Sequence, residues 1–279
     1  MGKTPDPSEF VEVLAPALRS AASIARSLEG RVANRPKAGE ATPVKAALTI
    51  ADHAAQEALL APLQERFSGV RLEAEEDTPG TAGFAREGDS LVVVDPIDGT
   101  LRFYLEGLGP YAVMVGLAVR DVYQAALVAL PREELYLDAV RGVGGRVAAG
   151  AAGLRRAQAV RSGYRVLVSH DLPGAAVEVL LGAGFAVEPA SGGAIAVAPL
   201  LPGVRAGLRL VQGASDSIST RGRIGALIAA EADALVWGED GRPFPEDIRA
   251  PARALLVAAH EDDLTVLCEA VAAADRDPG

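Results

Sequence analysis

The six residues Asp95-Pro96-Ile97-Asp98-Gly99-Thr100 put two carboxylates, a hydroxyl and an unhindered glycine into one short segment, directly after the apolar run 91–94. Two carboxylates three residues apart across a Pro-containing turn can converge on one hard cation, and the carbonyls between them can add oxygen ligands. Gly99 lets the backbone approach a bound group closely, and if Gly99 and Thr100 open a helix, their N–H groups point at an anion. That is the outline of a metal-plus-phosphate site. The same letters also spell an ordinary turn, because Asp-Pro and Asp-Gly are common turn dipeptides. Glu75-Glu76-Asp77 follows Val70-Arg71-Leu72, so it ends another short strand and offers a third carboxylate; read alone it is a solvated loop. Asp52 opens a helical segment, where the helix dipole favours a carboxylate whether or not it does chemistry.

The elements that must hold these groups are legible in the hydrophobic pattern. From Phe10 to Leu28 apolar residues recur at three- and four-residue steps, which predicts an amphipathic helix over 8–28, and helical spacing resumes over 50–67. Between them Gly30, Pro36, Gly39 and Pro43 predict a loop that carries Lys37 and Lys45. The run 91–94 reads as a buried strand that stops in a polar turn at Asp95-Pro96. Segments 111–119, 122–130 and 134–137 predict an antiparallel meander, broken at Arg120-Asp121 and Pro131-Arg132. A glycine- and alanine-rich stretch over 142–153 suggests a boundary near residue 155. It divides the chain into an N-terminal α+β half, 1–155, with the acidic motifs, and a C-terminal α/β half, 156–279, on the substrate-specificity side. In the second half 166–169, 175–182 and 185–187 alternate as strand, helix and strand. Segment 225–234 reads as helix, and 251–274 as one long amphipathic helix.

With 279 residues, 49% apolar and 23% charged, the chain is neither a small disulfide-stapled module nor a disordered segment. A net charge of −10 argues against a sequence-independent grip on nucleic acid. Three Lys stand against 24 Arg, a bias we attribute to coding rather than function. The single cysteine, Cys268, allows no internal disulfide. No stretch is apolar enough for a signal segment or a membrane span, so the expectation is a cytoplasmic protein with no membrane and no nucleic-acid partner. His53, His170 and His260 show no metal-ligand spacing and read as structural or surface residues. Ser191-Gly192-Gly193 lacks a nucleophile-elbow pattern and reads instead as a glycine turn near a substrate.

The string Val94-Asp95-Pro96-Ile97-Asp98-Gly99-Thr100, with Phe103 three residues on, resembles the signature of the inositol monophosphatase family of metal-dependent, lithium-sensitive phosphatases. Ala74-Glu75-Glu76-Asp77 resembles that family's Gly-Glu-Glu segment, 20 residues upstream, and Thr49-Ile50-Ala51-Asp52 its Thr-x-x-Asp segment, a further 23 upstream. The likeness extends over roughly 8–270 and is strongest before residue 140. It implies the α/β (α+β) class, as a layered α/β/α/β/α sandwich, commonly a homodimer, with the active site between the two halves.

Carried over position by position, the resemblance implies one Mg²⁺ held by Glu75, Asp95 and the Ile97 carbonyl, and a second held in part by Asp95 and Asp98. Asp52 and the Thr100 hydroxyl would orient and deprotonate the attacking water. The amides of Gly99 and Thr100 would bind phosphate, with Gly193 and Ala194 on the substrate side. The family also places an aspartate in a C-terminal Trp-Asp-x-Ala-Ala-Gly motif, and here Arg221 stands at that position, within Thr220-Arg221-Gly222-Arg223-Ile224. A guanidinium cannot ligate Mg²⁺. Three readings stay open: Asp216 substitutes as the ligand, Arg221 or Arg223 contacts a substrate phosphate, or strong activity has been lost. Smaller departures are Leu101-Arg102 for Thr-Asn and Ala74 for Gly, while Trp237 reads as a packing residue. The implied function is Mg²⁺-dependent hydrolysis of a small phosphorylated polyol, with inositol monophosphate or a related sugar or nucleotide phosphate as substrate. The alternative, resting on Arg221, is a non-catalytic or weakly active homologue that binds an anionic ligand or a protein partner.

Overall fold

Helix α1 (Pro7–Leu28) starts where the Asp6 carboxylate accepts the Ser8 N–H at 2.8 Å, with Pro7 at a first-turn position that needs no N–H. Helix α2 (Ile50–Phe67) starts with a reciprocal cap in which the Thr49 N–H donates to Asp52 at 2.7 Å. The computed structural model describes residues 4–39, 43, 47–212 and 217–276. After α2, β1 (Arg71–Ala74) pairs in parallel with β2 (Ser90–Asp98), and Ala74 lies opposite Val94.

The antiparallel meander follows as expected, through β3 (Ala112–Val119), β4 (Val122–Leu130) and β5 (Leu135–Val140). It continues into β6 (Gly144–Ala149) and the short β7 (Arg155–Arg156), so the glycine-rich stretch over 142–153 contains a strand of the same sheet. These seven strands lie side by side in chain order. The second sheet contains β8 (Arg165–Val168), β9 (Ala186–Pro189), β10 (Val204–Leu210), β11 (Leu235–Trp237) and β12 (Ala254–Ala258), in the order β11-β12-β10-β8-β9. Helices α3 (Gly174–Gly182), α4 (Gly192–Ala196), α5 (Ile224–Glu231) and α6 (Glu261–Arg276) complete the chain.

Burial sorts these elements into layers. Phe10, Leu14, Leu59 and Leu63 of α1 and α2 pack on Val92, Val94 and Val115 of the first sheet. On the opposite face of that sheet, Val93, Met114 and Val128 pack on Ile195 of α4 and on Ile224 and Leu227. Leu255 and Val257 of the second sheet meet Ala196 and Ala229 from the other side of this middle helical layer. The far face of the second sheet, with Val166, Leu208 and Leu256, is covered by α3 and α6. The result is the expected α/β/α/β/α order. No helix among the described residues is long and apolar enough to cross a membrane.

Two sequence expectations need correction. Segment 251–274 is not one helix: Ala254–Ala258 is a strand paired on both sides, and the helix starts only at Glu261. All five strand residues are buried, so their apolar run satisfies a helical template as well as a strand. Length and the acidic first turn of Glu261, Asp262 and Asp263 mark the true start. The strand at 91–94 likewise does not stop at a polar turn. It runs on to Asp98, and its pairing with β3 shifts register between Asp95 and Asp98.

Candidate active site

That register shift is a bulge. Asp95 lies opposite Met114 and Asp98 opposite Ala112, so Pro96 and Ile97 together oppose the single residue between them. Pro96 has no N–H to lose there. In an unbroken strand, residues three apart point to opposite faces. The extra residue turns Asp98 onto the side of Asp95, while Ile97 is buried among the α1 and α2 core residues. Glu75 comes just after β1, and the parallel register that sets Ala74 beside Val94 brings it next to Asp95. On α2, Gln56 fixes this segment: its Nε2 donates to the Glu76 carbonyl at 2.7 Å, and its Oε1 accepts the Glu76 N–H at 3.0 Å.

After β2 the chain turns at Gly99, whose φ of 86° is left-handed, into a wide helical turn over Thr100–Leu105. A Cβ at Gly99 would lie 2.5 Å from the Phe103 ring, so only glycine fits. The Thr100 hydroxyl contacts the Ile97 carbonyl and Asp52 Oδ1, each at 3.0 Å. Asp52 Oδ2 accepts both the N–H and the hydroxyl of Thr49 at 2.7 Å. Asp52 is fully buried, and burial pushes its carboxyl up to about 6 despite the three groups that hydrogen-bond it.

Glu75, Asp95, Asp98 and Thr100 line one cavity of about 540 Å³. Burial, followed by the charges of Glu75 and Asp98, holds Asp95 well above the usual carboxylate range. Its Oδ1 is buried without a hydrogen-bond partner. Asp98 Oδ2 accepts the Gly193 N–H at 2.5 Å. Arg221 Nε stands 3.8 Å from Asp95 Oδ2, and its Nη2 stands 3.8 Å from Glu75 Oε1. Burial alone would lower the Arg221 pKa, but the charges of Asp95, Glu75 and Asp98 raise it. Lys37 Nζ donates to Glu76 Oε1 at 2.8 Å and lies 3.7 Å from Glu75.

Residues 6–178 match the sequence model of the inositol monophosphatase family. The chain belongs to that family. Among solved structures, an inositol monophosphatase of Thermotoga maritima is 19% identical with a TM-score of 0.74, covering 95% of this chain and 98% of its own. The extragenic suppressor protein SuhB of Bartonella henselae is 17% identical with a TM-score of 0.70, covering 95% of this chain and 97% of its own. A staphylococcal inositol monophosphatase solved with products is 17% identical with a TM-score of 0.68, covering 94% of this chain and 96% of its own. No curated protein sequence matches the chain significantly.

In this inositol monophosphatase family member the residues anticipated at 75, 95, 98, 99, 100 and 221 line one cavity, and Asp52 and the Ile97 carbonyl join it through the Thr100 hydroxyl. Gly193 and Ala194 lie one step behind its wall. The Gly193 amide is engaged by Asp98 and the Ala194 amide faces Ser191 Oγ at 3.4 Å, while Ser191 and Gly192 line the space. Asp216 lies outside the described residues. Arg223 is not at the cavity: it donates to the carbonyls of Ile218, Asp247 and Ala250. Sequence reading missed Arg209, Gln212 and His170, which line the cavity from the second sheet's side. His170 stacks edge-on against Phe103, with ring centroids 6.0 Å apart, and is a cavity residue rather than a scattered surface one. No local spacing links these three to the acidic motifs.

Gly193 also predicts a measurable defect. A Cβ there would collide with Met114 Sδ, lie 2.8 Å from Ala112 Cβ and press on Asp98. Gly193→Ala is expected to cost about 1–3 kcal/mol in denaturant unfolding, as overpacking does. Gly182→Ala at the end of α3, where nothing lies within 4 Å of the added carbon, stays within about 0.5 kcal/mol.

Proposed function

We propose that this protein is a Mg²⁺-dependent phosphomonoesterase acting on a small phosphorylated polyol, sugar or nucleotide. The observation that carries this reading is the Thr100 hydroxyl, which joins the cavity wall to buried Asp52 while Glu75, Asp95 and Asp98 converge on the same cavity.

The residues present fit one hard cation. Asp95 has an orphaned buried oxygen, and Glu75, Asp98 and the Ile97 carbonyl are the oxygen donors around it. Among the described residues no three acidic, imidazole or thiol side chains are grouped closely enough to hold an ion unaided. Water and substrate phosphate oxygens therefore complete the shell, as is usual for Mg²⁺. Glu75, Asp95 and the Ile97 carbonyl would hold the ion, with Asp98 as a further carboxylate beside Asp95. The donors do not fit a second ion on the side of Arg221, where a guanidinium stands. When bound, Mg²⁺ supplies positive charge to the phosphate oxygens and makes water easier to deprotonate.

The chain's own groups do the rest. Asp52 is buried and does not line the cavity, so it acts on the attacking water through Thr100. Thr100 Oγ accepts a water proton as its own hydroxyl proton passes to Asp52 Oδ1. A carboxyl held near 6 is suited to take that proton around neutrality. The amides of Gly99 and Thr100 carry phosphate oxygens as charge builds on them. Arg221 donates to the same phosphate group in place of a second cation.

Phosphate release from a panel of phosphomonoesters at varied Mg²⁺ tests the reading. Saturable, Mg²⁺-dependent turnover is expected. Silence of the parent with turnover in Arg221→Asp would instead favour the second reading, a scaffold that binds anions without hydrolysing them, because Arg221 occupies a metal ligand's place. Silence in both would reject the phosphomonoesterase assignment.

A further inference from the structure

Two arginines face the cavity, and they differ in how their charge is met. Arg221 lies against Asp95 and Glu75. Arg209, on β10, forms no ion pair among the described residues, and its one hydrogen bond there is Nη1 to the Gly222 carbonyl at 3.3 Å. Two other half-buried arginines are engaged through all three nitrogens, whereas Arg19, away from this cavity, makes one hydrogen bond like Arg209. Arg132 donates to Glu29 at 2.6 Å and to the carbonyls of Gly109 and Phe103 at 2.6 and 2.7 Å. Arg165 grips both oxygens of Glu188 at 2.7 and 2.5 Å. A guanidinium carries five N–H donors and no acceptor, so Arg209 leaves most of its capacity facing the cavity.

The space around Arg209 is nevertheless shaped for it. A Cβ at Gly192 or at Gly222 would collide with its guanidinium. Backbone from the start of α4 and from the turn holding Arg221 therefore runs close against the guanidinium at its Nη1. Arg209 lines the same cavity as His170 and Gln212 and forms no ion pair with Glu75, Asp95 or Asp98, whereas Arg221 stands against Asp95 and Glu75. A planar fork lining a cavity, with one hydrogen bond among the described residues, matches a carboxylate or phosphate bidentately.

We propose that Arg209 is a specificity residue that takes a second anionic group of the substrate, so that the preferred substrates are phosphomonoesters bearing another phosphate or a carboxylate. This rests on the phosphomonoesterase reading above. The reacting phosphate sits at the carboxylate cluster with Arg221 and Thr100, and the second anion sits at Arg209. A neutral polyol phosphate leaves Arg209 unmatched.

The test uses pairs that differ only in the second charge: 3-phosphoglycerate against glycerol 3-phosphate, and fructose 1,6-bisphosphate against fructose 1-phosphate. In the parent, kcat/KM is expected to favour the anionic member of each pair by about tenfold or more, the range of a charged hydrogen-bonded contact. Arg209→Gln should collapse that ratio towards one, mainly through KM of the anionic member, and Arg209→Lys should keep part of it. An equal loss for both members, or a parent that prefers the neutral ones, overturns the proposal. If no compound releases phosphate, the phosphomonoesterase reading fails, and calorimetric binding of the same unreacted pairs decides the subsite. Tighter binding of 3-phosphoglycerate than of glycerol 3-phosphate, lost in Arg209→Gln, sustains the subsite; equal binding rejects it.

Discussion

Asp95→Asn is expected to lower kcat/KM for phosphate release by about a thousandfold while leaving the protein folded. A cation at a phosphoryl centre contributes several kcal/mol of charge stabilisation, and each 1.36 kcal/mol is a factor of ten in rate. Asp95 is the carboxylate with the most to do there: buried, pressed by Glu75 and Asp98, and holding an oxygen with no protein partner. The substitution removes a buried like charge and keeps the shape. The thermal midpoint of the metal-free protein should therefore hold within a few degrees, where an Asp in a satisfied structural pair would cost far more. Any rise of the midpoint on adding Mg²⁺ to the parent should shrink or vanish in the variant, by mass action on a weakened site. An Asn variant with parental turnover would remove Asp95 from the reaction.

The relay through Thr100 gives the second large effect. Thr100→Val keeps the size of the side chain and deletes the hydroxyl that touches Asp52 and the Ile97 carbonyl. It is expected to reduce kcat by about two to four orders of magnitude, the usual worth of a positioned acid or base, with KM much less affected. Thr100→Ser should retain most of the rate, since it keeps the oxygen. Asp52→Asn should show a similar kinetic loss. It also weakens the cap that joins Thr49 to the first turn of α2, at about 0.5–2 kcal/mol of stability. In the proposed relay the two groups act as one unit, so the double variant should be no slower than the worse single one. Additive losses would mean that Asp52 and Thr100 work separately, and a fast Thr100→Val enzyme would mean that Asp52 does not act through this hydroxyl.

The acidic motifs were legible because each is a short local string at the end of an element with a clear period. Asp52 follows a helix start, Glu75 a strand, and Asp95 to Thr100 a buried β-branched run. The spacings of 20 and 23 residues between them matched a known family pattern, and the family match over 6–178 covers just this region. The layered fold was implied by that family resemblance. The helix expected over 251–274 failed where a strand buried on both faces imitates a buried helix, since neither leaves a polar side to read.

Sequence alone thus singled out the carboxylates and the hydroxyl of the candidate site, and Arg221 beside them. Tertiary structure decided how those groups face one another. The spacing of Asp95 and Asp98 sends them to opposite faces of a regular strand, and only the bulge against Met114 and Ala112 on β3 turns them to one side. Asp52 meets Thr100 because α2 packs on β2, 48 residues along the chain. Arg209 becomes a cavity residue because Gly192 and Gly222, far from it in sequence, close on its guanidinium. Local strings fix chemistry and period, which depend on near neighbours. Side-chain direction in a sheet, and the space left beside a charged group, depend on the register of strands and turns that meet only after the chain has folded.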